Sequence, residues 1–159
     1  MRKTFKMCTA VLAMTCMAGE AFAGCVRHEE MVALRVAAVQ QQLMVAALSC
    51  NAISRYNKFV VSYRSELQAS DKTLQRFFRR TTGGIAAYHA YKTRLANRSS
   101  LRSIGNSESY CSDAADAFDT ALNSSRSLED FVTARPVMLD VRYSNCTRRG
   151  KMMHTASAG

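Results

Sequence analysis

Residues 27–49 read RHEEMVALRVAAVQQQLMVAALS, and this stretch decides the fold. Neither proline nor glycine interrupts it, and apolar residues recur at helical spacing along two adjacent sides. Glu29 and Glu30 stand in the first turn, where carboxylates favour the positive end of the helix dipole. So wide an apolar face predicts the central and most buried helix of the fold. Its members are Met31, Leu34, Ala38, Val45 and Leu48 on one side and Val32, Val36, Val39 and Leu43 on the other.

Outward from this helix, few residues break helical structure, since the chain has one proline and seven glycines. A second helix is expected at about 52–69, either separate from the first or joined to it with a bend near Asn51. The apolar stripes of the second and fourth helices begin at Ile53 and Ile85. We therefore predict an all-α fold, a single helical bundle of about five helices. The other predicted helices are a short one that Ser70 or Asp71 caps and that ends at Gly83-Gly84, one at 85–103, one at 107–123, and a short one that Ser127 caps and that runs to Ala134.

The first 23 residues have the layout of a secretory signal peptide. Three basic residues precede an apolar run at 7–18, and the sequence AFA at 21–23 is a typical cleavage site. The apolar run is too short to span a bilayer, and we expect no other hydrophobic segment to be long enough to span one. We therefore expect a periplasmic or secreted protein. Removing 23 of the 159 residues leaves 136, with a helical domain at 24–146 and a disordered basic tail at 147–159.

Four of the six cysteines remain after the signal peptide is removed: Cys25, Cys50, Cys111 and Cys146. An even number in an exported chain predicts two disulfides, for which three pairings are possible. We favour Cys50–Cys111, which would join two helices, and Cys25–Cys146, which would tie the start of the fold to its end. Two such disulfides would staple the bundle.

Cys25 also allows a different interpretation. The sequence FAGC at 22–25 has the pattern of a bacterial lipobox, in which the cysteine becomes the acylated first residue. Phe22 stands where leucine is usual, and acylation would leave an odd number of cysteines. A lipoprotein anchored through Cys25 therefore stays open as the alternative to an unanchored exported protein.

The chain is basic, and its arginines form the main candidate binding surface. The net charge is +10, and loss of three of the 22 Lys+Arg and one of the 12 Asp+Glu with the signal peptide leaves +8. A positive balance favours anionic partners, although it also fits a surface that only keeps the protein soluble. Arginine is well suited to bidentate contact with carboxylate or phosphate. The candidates are Arg94, Arg98 and Arg102, which share one face of the fourth helix, and Arg76, Arg79 and Arg80, which surround Phe77-Phe78.

The same arginines also allow a purely structural interpretation. Asp113, Asp116 and Asp119 recur every three residues on the fifth helix. They could pair with the arginine stripe or form a solvated face, and both are commoner than an acid–base or cation site.

No motif in the sequence indicates catalysis, a cofactor or a metal site. The three histidines, His28, His89 and His154, stand in no zinc-binding or haem-attachment pattern. A hydrolase-like enzyme would need His28 or His89 beside a carboxylate or serine in a cleft. A binder of small apolar ligands would need a sizeable apolar pocket.

Three segments resemble small exported helical proteins of alphaproteobacteria, a group with no assigned function. They are QQQLMVAALSCN at 40–51, RYNKFV at 55–60 and AYKTRLAN at 90–97. The resemblance implies a periplasmic setting and brings no active site with it.

These observations favour an exported, non-enzymatic helical protein that binds an anionic partner through a basic helix face. The partner would be an acidic envelope protein, or the membrane or lipopolysaccharide surface. No nucleic-acid partner is predicted, because the chain carries no known nucleic-acid-binding motif. A small periplasmic enzyme or an apolar-ligand binder stays open as the alternative.

Overall fold

The computed structural model describes residues 26–81, 83–135 and 139, and helices account for nearly all of them. The all-α fold class is therefore confirmed for this part of the protein. The predicted signal peptide at 1–23, Cys25, Cys146 and the tail at 147–159 lie outside the described residues. The elements are α1 (His28–Ser49), α2 (Ile53–Ser62), α3 (Arg64–Arg80), α4 (Gly84–Gly105), α5 (Ser107–Asp119), a π-helical turn (Thr120–Ser124) and α6 (Leu128–Ala134).

Helix α1 is the centre of the bundle, as its wide apolar face predicts, and it packs against all five other α-helices. Toward its N-terminal end, Leu34 is fully buried with Phe77 of α3 and Tyr91 of α4. Toward its C-terminal end, Leu43 is fully buried in a second cluster. That cluster also contains Phe59 of α2, Phe118 of α5 and Phe131 of α6.

Three residues that were expected in the core are exposed: Leu48 by 75 %, Ile53 by 50 % and Ile85 by 42 %. Each lies in the first or last turn of its helix, where the apolar stripe extends beyond the neighbouring helices. The predicted helical periodicity is correct, but neighbouring helices cover only part of the apolar stripe along each of these helices.

Helix α1 is also long and apolar enough, by length and composition, to cross a membrane, and it is the one such helix among the described residues. The expectation that no segment after the predicted signal peptide would be long enough to span a membrane is therefore wrong. In the structure, 67 % of the most apolar 18-residue stretch of this helix is buried inside the bundle. Core helices of globular proteins meet the same criterion, so this profile is weak evidence for a membrane span.

The chain bends at Tyr63 rather than near residue 70, so the predicted second and third helices are divided differently. Tyr63 lies outside helical geometry at φ −107° and ψ 20°. The Tyr63 N–H still donates to the Phe59 carbonyl, and the Leu67 N–H donates to the Tyr63 carbonyl. Asp71, expected as a helix cap, lies inside α3, and its carboxylate bonds to Tyr88 and Lys92 of α4.

Two glycines form the turn between α3 and α4. Gly83 has φ +117°, which side chains rarely adopt, and a Cβ atom there would lie 2.8 Å from the Cβ of Ala87. The turn makes α3 and α4 an antiparallel pair. The Asn106 side chain then accepts the Ser109 N–H and caps α5, and Ser127 caps α6 as predicted by accepting the Asp130 N–H.

One of the two expected disulfides lies within the described residues. Cys50, at the end of α1, is bonded to Cys111 of α5, with a Cα–Cα separation of 5.5 Å. It is the pairing that was favoured from the sequence. The other expected pair, Cys25–Cys146, lies outside the described residues.

Candidate functional site

The six candidate arginines belong to two helices and do not form one continuous surface. Arg76, Arg79 and Arg80 lie in the last two turns of α3, next to the turn that leads to α4. Arg94, Arg98 and Arg102 lie along α4, and Arg102 is about 27 Å along the helix axis from Gly84. The two groups therefore lie toward opposite ends of the α3–α4 pair.

Arg80 is a structural residue. Its guanidinium pairs with the carboxylate of Glu30, whose side chain is only 5 % exposed. The same carboxylate accepts the backbone N–H of Arg27 at 2.9 Å and lies 3.4 Å from the Arg27 Nε. Arg80 thus compensates a buried charge at the start of α1.

Arg102 also makes contacts within the protein. Its Nη2 lies 3.4 Å from Asp113 Oδ2 on α5, and its guanidinium lies 5.7 Å from the centre of the Tyr110 ring. Tyr110 in turn donates its hydroxyl to the backbone carbonyl of Gln42 at 2.9 Å. The structural interpretation, in which the stripe pairs with the aspartates of α5, therefore applies to Arg102.

Arg76 and Arg79 are exposed on the outer face of α3. Arg76 Nη2 donates to the Thr73 hydroxyl at 3.0 Å, and among the described residues no carboxylate pairs with either arginine. Lys72 precedes Arg76 by one turn and was not singled out from the sequence. It too is exposed and has no ion-pair partner in the described part of the chain.

Arg94 and Arg98 share their face of α4 with two exposed aliphatic residues that sequence reasoning missed. Leu101 is 70 % exposed and Ile104 is 81 % exposed. Leu101 follows Arg98 by three residues and Arg94 by seven, so these three lie within about 60° around the helix axis. Ile104 lies about 60° beyond Leu101, so the four residues together cover about 120° of the helix surface. This spacing was present in the sequence, but exposed leucine and isoleucine could not be distinguished there from core residues.

The two histidines within the described residues, His28 and His89, do not form a catalytic cleft. His28 Nε2 lies 3.0 Å from Glu129 Oε1, but the two side chains are 79 % and 57 % exposed. His89 is also exposed, and its ring lies against that of Tyr88. No serine or cysteine side chain among the described residues bonds to either histidine, so the structure brings one histidine to a carboxylate without a nucleophile.

The three aspartates of α5 do not share a common partner. Asp113 pairs with Arg102, while Asp119 lies 3.1 Å from the guanidinium of Arg55, and Asp116 is exposed. Within the described ranges, no group of three or more histidine, cysteine or acidic residues is placed to hold a metal ion.

A polar groove of about 800 Å³ runs beside α3, and the sequence did not indicate it. Only two of its lining residues, Val60 and Leu67, are aliphatic, so it lacks the character expected of an apolar-ligand pocket. The other lining residues are Gln40 of α1, Arg64, Gln68, Asp71, Lys72 and Gln75 of α3, and Lys92 of α4.

Asp71 and Lys92 form a hydrogen-bonded network at one wall of this groove. Lys92 Nζ lies 3.2 Å from Asp71 Oδ1 and 3.1 Å from the Tyr88 hydroxyl, which donates to Asp71 Oδ1 at 2.6 Å. Burial alone would raise the pKa of Asp71, but the Tyr88 hydrogen bond and the charge of Lys92 outweigh it and lower that pKa. Burial would lower the pKa of Lys92, but Tyr88 and Asp71 raise it. Both groups are therefore held in their charged forms.

No protein family, curated protein or solved structure matches this chain.

Proposed function

We propose that this protein is an exported, non-enzymatic helical protein that binds an anionic envelope surface through one face of α4. Arg94 and Arg98 on this face supply positive charge. The observation that carries the proposal is the exposure of Leu101 and Ile104 beside them, by 70 % and 81 %. We call these four residues the α4 face.

The composition of the α4 face favours a lipid or lipopolysaccharide surface over an acidic protein. Helices that lie on membranes place arginines at the headgroup phosphates and aliphatic side chains at the boundary with the acyl chains. Arginine is flexible enough to reach the phosphates while the helix axis lies deeper. The α4 face extends about 15 Å from Arg94 to Ile104, which is long enough to lie along such a surface.

The other candidate arginines take supporting roles in this proposal. Arg76 and Arg79 on α3 add to the positive field that attracts an anionic surface over a distance of about one Debye length. Arg80 and Arg102 hold the scaffold through their pairs with Glu30 and Asp113.

Vesicle binding tests the role of charge. The mature protein should bind vesicles of mixed phosphatidylglycerol and phosphatidylcholine, and not vesicles of phosphatidylcholine alone. Arg94→Ser/Arg98→Ser should weaken this binding about tenfold or more, since each basic residue near an anionic membrane contributes about 1 kcal/mol. Lys58→Ser/Arg126→Ser is the matched control, because it removes the same charge from exposed residues of other elements. Equal loss in both variants would show unspecific charge attraction and contradict the assignment of the α4 face.

The aliphatic residues give an independent arm of the same experiment. Leu101→Ser/Ile104→Ser should weaken vesicle binding while the net charge is unchanged, because less apolar surface enters the interface. The control is Leu48→Ser/Val61→Ser, which shortens aliphatic side chains that are exposed by 75 % and 64 % elsewhere. Binding to an acidic envelope protein, with no binding to any of the vesicles, would overturn the lipid assignment.

A further inference from the structure

We infer that the polar groove beside α3 is a binding site for a small organic anion that carries a carboxylate or phosphate on a partly apolar body. The site is separate from the α4 face, and the inference does not rest on the proposed function. Four helices contribute to the groove, with α3 as its main wall and Lys92 of α4 on one side.

The size of the groove fits a small molecule, and its lining fits a polar one. Its volume of about 800 Å³ is within the range of small-molecule sites, but its lining, with two aliphatic residues among nine, is more polar than that of most such sites. Val60 and Leu67 supply the apolar surface. The amide group of Gln68 supplies donors and an acceptor, while the amides of Gln40 and Gln75 already bond to Tyr56 and Asp71.

The charge balance of the groove selects an anion. Arg64, Lys72 and Lys92 face a single carboxylate, that of Asp71. This carboxylate is already satisfied, because Oδ1 accepts from Tyr88 and Lys92 and Oδ2 accepts from Gln75 Nε2 at 2.8 Å. A cationic ligand would therefore find no available carboxylate among the described residues of the groove.

Two of the three cations are available at the rim. Arg64 and Lys72 are exposed, and neither has an ion-pair or hydrogen-bond partner among the described residues. An arginine with an unused guanidinium edge can bind carboxylate or phosphate through two parallel hydrogen bonds.

Lys92 supplies a fixed positive charge deeper in the groove. Its side chain is 28 % exposed, and Asp71 and Tyr88 take up two of the three donors of its ammonium group. The third donor is left for a ligand. Because the network already holds the ammonium group in place, little conformational freedom would be lost on binding.

Nuclear magnetic resonance with defined probes tests the site. Phenyl phosphate and benzoate are titrated separately into the mature, oxidised protein, with benzyl alcohol as the neutral control. We expect saturable shifts of backbone amides around Gln68, Asp71 and Lys92 with at least one anion, and none with benzyl alcohol. The stronger of the two anions identifies phosphate or carboxylate as the preferred group. Equal shifts with benzyl alcohol, or no saturable shift with either anion, would overturn the inference.

Matched variants then separate the groove from general charge. Arg64→Ser/Lys72→Ser should raise the dissociation constant of the stronger anion at least about tenfold, because it removes both rim cations. Arg76→Ser/Arg79→Ser removes the same charge from the outer face of the same helix and should leave the constant within about threefold. Equal weakening in both variants, or none in the first, would contradict a built site. Since no vesicle is present, this outcome is independent of the vesicle experiment.

Discussion

At the scale of single residues, the helix-dipole rule explains why Glu30 stands in the first turn of α1, but it does not explain all of the contacts of this residue. Its place in the first turn of α1 suits the helix dipole, and its carboxylate does accept the Arg27 N–H. The structure adds that this carboxylate is buried and pairs with Arg80, fifty residues later in the chain. No periodicity relates these two positions, so the sequence left Arg80 among the binding candidates.

Replacing Arg80 should therefore affect stability. Arg80→Ala should lower the free energy of unfolding by about 2 kcal/mol, because the buried Glu30 carboxylate loses a charged partner. The double variant Glu30→Gln/Arg80→Ala should recover part of this loss, since the uncompensated charge is gone. Urea unfolding measures both. Arg79→Ala, an exposed neighbour, is the control and should stay within about 0.5 kcal/mol of the wild type. A similar loss for both arginines would contradict the structural role of Arg80.

The network around Asp71 predicts a specific dependence of stability on pH. The pKa of Asp71 is lowered from its ordinary value of 3.8 by the Tyr88 hydrogen bond and the Lys92 charge, against the effect of burial. Its charged form therefore stabilises the fold fully above pH 3.8, and this contribution is lost as the pH falls through the lowered value. The stability difference between wild type and Asp71→Asn should be constant near neutral pH and shrink in acid. Asp116→Asn should change stability little throughout, and equal profiles for both variants would refute the network.

At the scale of elements, the sequence predicted helices better than their ends. The centre of α1 and the Ser127 cap of α6 follow from local signals, and both are confirmed. The bend at Tyr63 follows from no such local signal. At this bend the Tyr63 hydroxyl donates to the Ala121 carbonyl, 58 residues away. Ala121 lies in the π-helical turn, which extends α5 in a geometry that propensity cannot indicate.

In the candidate site, too, the positions along one helix could be predicted from the sequence, but the contacts between helices could not. Helical spacing placed Arg94, Arg98 and Arg102 on one side of α4, and they do lie along it. Which of them contacts α5 depends on where that helix packs, and it brings Asp113 to Arg102. The groove beside α3 was not predictable at all, because four helices have to be assembled before it exists.

At the scale of the whole molecule, the Cys50–Cys111 disulfide joins the end of the central helix to α5 across 61 residues. A crosslink that closes a loop of this length stabilises a fold by about 4 kcal/mol when the unfolded chain loses the corresponding entropy. The chain on either side of this loop, which includes the start of α1 and all of α6, is not restrained by it.

A second disulfide, Cys25–Cys146, would restrain the parts of the chain that lie outside the Cys50–Cys111 loop. We expect the protein to begin at Gly24 and to contain no free thiol, because the predicted cleavage leaves four cysteines and the predicted export would bring them to an oxidising compartment. Intact mass fixes the N-terminus, and alkylation without reductant followed by peptide mapping identifies the pairs. An acylated Cys25 would make the protein a lipoprotein and leave Cys146 labelled. Cys50 paired with any residue other than Cys111 would contradict the disulfide that joins the end of α1 to α5.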